Sequence, residues 1–229
     1  MILTKEQRSV IERVTNAFET GTADGNYGAI SIYNDGPNDI RQITYGRSQT
    51  TEFGNLGRLV QMYAVAGGDF SAQLAPYVGR VGHEVLTEDV KFKDLLRQAG
   101  RRDQVMRQTQ DRFFEETYFL PAMAWADEHQ FQTALSALVI YDSFIHSGSI
   151  LRLLRNRFPE APPSSGGREK VWITSYVQVR HAWLRSHTRP AVRASSYRTA
   201  DLAREIKNGN WDLSQLPIVA NGTRVYPAA

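Results

Sequence analysis

The chain contains no cysteine in 229 residues, which removes disulfides, thiolate metal sites and a cysteine nucleophile in one step. Histidine is sparse. The five, His83, His129, His146, His181 and His187, never form a His-x-x-x-His pair, so a helical zinc site has no ligand set and no metal or cofactor is expected. No run approaches the roughly 18 apolar residues that span a bilayer, and no membrane partner is expected. The opening Met1–Glu6 lacks the charged-then-apolar pattern of a secretory leader. No phosphate-cradling glycine loop, dinucleotide fingerprint, repeat or low-complexity tract is present. Lysine is also scarce: five of the 27 basic residues are lysine and 22 are arginine.

What remains is the composition of a soluble globular protein, with 41% hydrophobic and 22% charged residues, long enough for one domain or for two lobes sharing a cleft. The net charge is +3. Between Ile150 and Arg204 eleven Lys/Arg face three acids, Glu160, Glu169 and Asp201. A basic flank of that kind suits an anionic polymer, nucleic acid or an acidic cell-wall glycan, and equally suits a solvated helical surface with arginine chosen for ion pairing.

Periodicity predicts a mainly helical chain with one small hairpin near its start. Thr4-Lys5-Glu6-Gln7 fits a capping box. Val10, Ile11, Val14, Ala17 and Phe18 then follow helical spacing to about Glu19, and Gly21 is placed to end that helix. Tyr27–Tyr33 and Ile40–Tyr45 read as strands around the turn Asn34-Asp35-Gly36-Pro37-Asn38-Asp39. A helix bearing Leu56, Leu59, Val60, Met62 and Tyr63 comes next. Helices are expected at about 70–80, 89–99, 101–128, 130–146, 149–157, 168–187 and 197–208. The loop 161–167 separates two of them, and an extended tail closes the chain.

Two carboxylates frame the region richest in chemistry. Glu19 falls at a helix end, one step past the apolar Phe18. Partial desolvation and the negative end of the helix dipole both raise the proton affinity of a carboxyl there, as a general acid requires. Asp35 lies in the turn, sixteen residues on. One acid that protonates a leaving oxygen and a second that activates water are the means of glycoside hydrolysis, and spacing alone does not single out that use. Thr44, Ser48, Thr50 and Thr51 offer hydroxyls for a water or a sugar, or serve as turn residues. Asp142 lies on the apolar stripe of Phe131, Leu135 and Leu138. Arg180 lies on that of Trp172, Ile173 and Tyr176, so a buried Asp142–Arg180 pair would satisfy both charges. His146 comes four residues after Asp142 and reads more readily as a helix-end histidine than as a catalytic one.

In order along the chain, Phe18-Glu19, Asp35-Gly36, Ile43-Thr44-Tyr45-Gly46, Leu59-Val60-Gln61-Met62-Tyr63, Tyr118-Phe119-Leu120-Pro121-Ala122, Tyr141-Asp142 with His146, and Asn208-Gly209-Asn210-Trp211-Asp212-Leu213 resemble the family 46 glycoside hydrolases. These are bacterial chitosanases of the lysozyme-like superfamily. The resemblance implies an α+β, mainly α, two-lobed lysozyme-like fold over residues 1–229 as one catalytic domain, with a small N-terminal β-hairpin and a substrate cleft between lobes. It implies an endo-acting, inverting hydrolase of β-1,4 links in an amino-sugar polysaccharide, chitosan above all. Glu19 corresponds to the general acid, Asp35 to the water-activating carboxylate and Thr44 to the residue positioning that water. An inverting pair must stand roughly 6.5–9.5 Å or more apart to admit the water.

Asp142 and Arg180 correspond to members of a buried ion-pair network behind the acid, with Arg198 or Arg204 as third partner. Tyr33, Arg47, Asn55 and His146 are the candidate substrate contacts. The resemblance further implies secretion, a monomer, no cofactor and no nucleic-acid partner. Two departures bear on this. The turn after Asp35 is longer than the family's compact glycine turn, so Asp39 competes with Asp35 as base. Asn55 stands where chitosanases carry an aspartate for a glucosamine cation. With the basic charge, that substitution keeps an N-acetylated glycan such as peptidoglycan as the alternative substrate.

Overall fold

The computed structural model describes residues 1–47 and 49–228. In chain order the elements are α1 (Lys5–Thr20), β1 (Ile30–Tyr33), β2 (Gln42–Tyr45), β3 (Thr50–Thr51), α2 (Gly57–Ala66), α3 (Ser71–Leu74), α4 (Val90–Arg102), α5 (Gln104–Phe114), α6 (Leu120–Glu128), α7 (Ala134–Ser147), α8 (Arg152–Arg155), α9 (Glu169–Ser186), α10 (Pro190–Ala194), α11 (Ser196–Lys207), β4 (Ile218–Ala220) and β5 (Thr223–Val225). The architecture is mainly α with a small antiparallel sheet, and it divides into two compact units. One joins Met1–Asp24 to the chain from Glu116 onward; the other is the continuous stretch Gly25–Glu115.

In the first unit, α1 begins with the expected capping box: Gln7 N–H donates to Thr4 Oγ1 at 3.1 Å and Thr4 N–H to Gln7 Oε1 at 3.0 Å. It ends at Gly21, whose φ of 72° lies in the left-handed region that glycine enters without steric cost. Helix α7 is buried from Ala134 to Phe144, which is why its sequence is apolar almost all round rather than striped. Against it pack Val10, Ile11, Val14 and Phe18 of α1 and Trp172, Ile173 and Tyr176 of α9. Each fully buried Leu, Ile or Phe contributes about 1.5–3 kcal/mol. Glu169 at the head of α9 fixes the head of α7 by accepting from Thr133 N–H at 2.8 Å and Ser136 Oγ at 2.6 Å.

The expected tail is in fact a hairpin. Strands β4 and β5 pair around Asn221-Gly222, both with positive φ, the dipeptide most often found in two-residue hairpin turns. Two side chains of this hairpin bind carbonyls at the end of α1: Asn221 Nδ2 donates to Ala17 O at 3.3 Å and Thr223 Oγ1 to Gly21 O at 2.8 Å.

In the second unit, β2 is central in a sheet of order β1-β2-β3, with Ser31 opposite Thr44, Tyr33 opposite Gln42 and Thr44 opposite Thr51. All four β2 residues are buried. Tyr45 at its end donates its hydroxyl to Leu96 O of α4 at 2.8 Å. A fully buried carboxylate ties β2 to later stretches of the unit: Glu52 Oε2 accepts Ile43 N–H at 2.9 Å and Oε1 accepts Leu86 N–H at 2.6 Å. Glu52→Ala leaves both donors buried and unpaired, and is expected to cost about 3 kcal/mol in urea unfolding. An unchanged midpoint would disprove the anchoring role.

Three expected helices are shorter or broken. The 101–128 stretch is interrupted at Asp103, which caps α5 by accepting Val105 N–H at 2.8 Å, and again by a wide turn at Glu115–Phe119. Pro121 comes just after that turn and has no N–H to continue a regular ladder. Residues 70–80 form only α3 and a tight turn containing Pro76, and 149–157 only the single turn α8.

Candidate active site

The carboxyl of Glu19 sits in the last turn of α1, mostly buried, with its side chain 13% exposed. Arg198 of α11 donates Nη1–H to Glu19 Oε1 at 2.7 Å. Its Nε and Nη2 both reach Asp142 Oδ1, at 2.9 and 2.6 Å, and the Asp142 Oδ2 accepts from Arg180 Nη1 at 2.6 Å. The network therefore runs Arg180–Asp142–Arg198–Glu19, and its three inner members are fully or almost fully buried. Arg198 also lies over the Phe18 ring, 5.1 Å from its centroid, which fills the space beneath the guanidinium.

Burial pushes the Glu19 proton affinity up; Arg198 opposes this and the negative charge of Asp142 adds to it. Asp142, although buried, is held well below the usual carboxylate range by Arg198 and Arg180. Two carboxyls sharing one arginine are thus driven apart, one toward holding its proton and the other toward staying ionised. Arg180 Nε and Nη2 are buried without a hydrogen-bond partner among the described residues.

Arg204 does not belong to this network, although the sequence left it level with Arg198. Arg198, Thr199, Leu202 and Glu205 form the buried face of α11. Arg204 falls on the opposite side, 41% exposed, paired to Asp201 at 2.9 Å. His146 is half-buried, with Nε2 2.9 Å from Ser195 Oγ and Nδ1 3.2 Å from Ser147 Oγ. Burial, with Arg198 and Arg180 nearby, takes its pKa down to about 3, so the ring is neutral and engaged by serine hydroxyls at both nitrogens.

The second unit holds the other carboxylate. Asp35 lies half-buried past the end of β1 and accepts Gln42 Nε2–H at Oδ1, 2.9 Å away. Asp39 is exposed in the turn Pro37–Asp39. Thr44 is buried in β2, its Oγ1 2.7 Å from Gln49 Oε1 and 3.4 Å from Ser31 O. Both of those oxygens only accept, so the Thr44 hydroxyl is the donor to them. Gln49 is oriented in turn by donating Nε2–H to Gly46 O at 3.1 Å. Thr50 Oγ1 is buried without a hydrogen-bond partner among the described residues, and Thr51 is half-buried. Ser48 lies outside the described residues.

Of the candidate substrate contacts, Tyr33 is 53% exposed at the end of β1 and Asn55 is half-buried in the wide turn Glu52–Leu56. Arg47 is buried within its own unit, over the Phe114 ring at 5.0 Å and 3.2 Å from Asp111 Oδ1. Gln42, Gln49, Glu52 and Ser195 were not among the candidate site residues read from sequence. For Gln42 a signal existed, a lone amide in a strand otherwise made of β-formers.

Much of the basic flank is spent internally. Arg180 and Arg198 are buried on Asp142, Arg155 caps the carbonyls of Phe158 and Glu160, Arg193 those of His187 and Thr188, and Arg168 pairs with Glu160. Among the described residues no group of three His, Asp or Glu is arranged to hold a metal, and no helix is long and apolar enough to cross a membrane.

The chain is 29% identical to a chitosanase of Bacillus subtilis (strain 168), over 93% of this chain and 81% of that protein. In fold it superposes on a chitosanase of Gynuella sunshinyii in complex with chitotetraose, with a TM-score of 0.82 at 24% identity over the whole of both chains. It also superposes on a chitosanase of Bacillus subtilis MY002, with a TM-score of 0.80 at 24% identity over 94% of each. The sequence profile of glycosyl hydrolase family 46 matches residues 13–218. A carboxyl driven toward its protonated form behind a buried arginine, on a chain matched almost end to end by that profile, makes this protein a glycoside hydrolase belonging to glycosyl hydrolase family 46.

Proposed function

We propose that the chain is an endo-acting, inverting hydrolase of β-1,4 links in chitosan, the polymer named in its relatives' activity. Glu19 is the general acid and Asp35 the carboxylate that activates water, with Thr44 accepting a hydrogen bond from that water. The observation that carries the reading is the Glu19 carboxyl, buried at the end of α1 and raised in proton affinity by that burial. It holds the proton that a departing sugar oxygen must receive. Asp35 is favoured over Asp39 because it is half-buried and held by Gln42, whereas Asp39 is exposed on the turn Pro37–Asp39.

The test is reducing-end release from chitosans of graded acetylation and from purified cell walls, with the anomer of the first product followed by NMR. Asp35→Asn is expected to lower kcat by about 10²-fold or more, the worth of a general base, while Asp39→Asn changes it less than about threefold. Loss at 39 with none at 35 would reverse the assignment. A product that keeps the substrate's anomeric configuration would overturn inversion. Because Asn55 is neutral, cleavage confined to the most acetylated chitosans or to cell walls would replace chitosan by an N-acetylated glycan.

A further inference from the structure

Gln42 presents a buried amide, 4% exposed, at a strand position where an unpaired polar group is costly. Both its ends are engaged. Oε1 accepts Phe53 N–H at 3.1 Å and Nε2 donates to Asp35 Oδ1 at 2.9 Å. This orientation is dictated by the partners. Turning the amide over would set its NH2 against the Phe53 N–H and its oxygen against a carboxylate, with no hydrogen bond at either end.

Phe53 is itself held, because the preceding residue, Glu52, accepts Ile43 N–H, and Ile43 is the neighbour of Gln42. The side chain of 42 takes the backbone of 53, and the side chain of 52 takes the backbone of 43. This reciprocal clasp fixes the amide relative to β2. It also passes that fixity to one oxygen of Asp35, leaving Oδ2 with no hydrogen bond among the described residues. Thr44 lies two residues further along β2 and so on the same strand face as Gln42.

We propose that Gln42 is a positioning residue for the hydrolysis. Its amide pins Asp35 Oδ1 so that Oδ2 faces the attacking water. This rests on the reading of Asp35 as the base. The charged groups closest to the pair along the chain are Asp39 in the turn Pro37–Asp39 and Arg41, which pairs with Glu88 at 3.4 Å; Glu52, next to Phe53, is bound to the Ile43 and Leu86 amides.

The experiment compares Gln42→Glu and Gln42→Ala with wild type on chitosan, recording kcat, KM and the pH profile of kcat/KM. Gln42→Glu keeps size and an acceptor for Phe53 N–H, but sets a second carboxyl against Asp35. Like charges at that distance resist joint ionisation, so the acidic limb of the profile is expected to move up by about one pH unit. Gln42→Ala frees the carboxyl, and kcat is expected to fall about tenfold to a hundredfold with KM within twofold, the cost of a misplaced catalytic group. Thermal unfolding of both variants checks folding, and should Gln42→Ala unfold, the shift in Gln42→Glu decides. An unmoved acidic limb together with an unchanged kcat, in an enzyme that Asp35→Asn inactivates, overturns the positioning role. Full activity of Asp35→Asn would instead remove the base reading beneath it.

Discussion

Glu19→Gln is expected to lower kcat on the polymer by about 10³-fold or more while the protein melts within about 2 °C of wild type. General acid catalysis contributes roughly 10²–10⁴-fold, and an amide cannot deliver the proton. Folding survives because the glutamine oxygen still accepts from Arg198 Nη1, and Arg198 keeps both contacts to Asp142. A neutral amide in this buried place also avoids the desolvation that raises the Glu19 proton affinity. With Glu19 as the proposed acid, the wild-type rate is expected to fall as pH rises through that raised pKa, which places the basic limb of the profile above the ordinary carboxylate range. The measurement is steady-state turnover with calorimetry on the same samples. More than a tenth of wild-type kcat in Glu19→Gln would exclude it as the proton donor.

Asp142→Ala carries the largest expected effect on stability, a loss of about 3–5 kcal/mol in urea unfolding. It leaves Arg180 and Arg198 buried with their shared counter-charge gone, the situation in which breaking a buried pair is most costly. The pH dependence is set by the directions of shift. Asp142 is depressed, so its stabilisation is present above the unfolded-state carboxylate pKa and is lost as pH falls through the lower folded value. Glu19 is raised, so its ionisation costs stability as pH climbs past the ordinary value. Removing Asp142 also removes a charge that helps Glu19 keep its proton, so the basic limb of residual activity is expected to move to lower pH. A variant as stable as wild type would refute the buried network as a stabilising element.

Legibility from sequence tracked the locality of each signal. Helix α1 could be read whole, because its cap, its apolar spacing and its terminal glycine all lie within seventeen residues of one another. Asp142 and Arg180 were conspicuous as charges on apolar stripes, which only pairing explains. Choosing between Arg198 and Arg204 needed the rotational setting of α11, which its sparse apolar residues do not fix. The wide turn before Pro121 was hidden inside a pattern of uniform helical propensity. The C-terminal hairpin was missed even though Asn221-Gly222 announces it. The Gln42 clasp joins positions eleven apart through side-chain-to-backbone bonds, a geometry that no periodicity records.

The chain order of the two units has a consequence for biosynthesis. The stretch Gly25–Glu115 is continuous, and all of its own contacts become possible once residue 115 has left the ribosome. The other unit is split, and the Glu19 carboxyl near its beginning waits for a guanidinium 179 residues later. The hairpin that grips the end of α1 comes later still. A nascent polypeptide that stops after α9 therefore carries the acid without the cation that holds it.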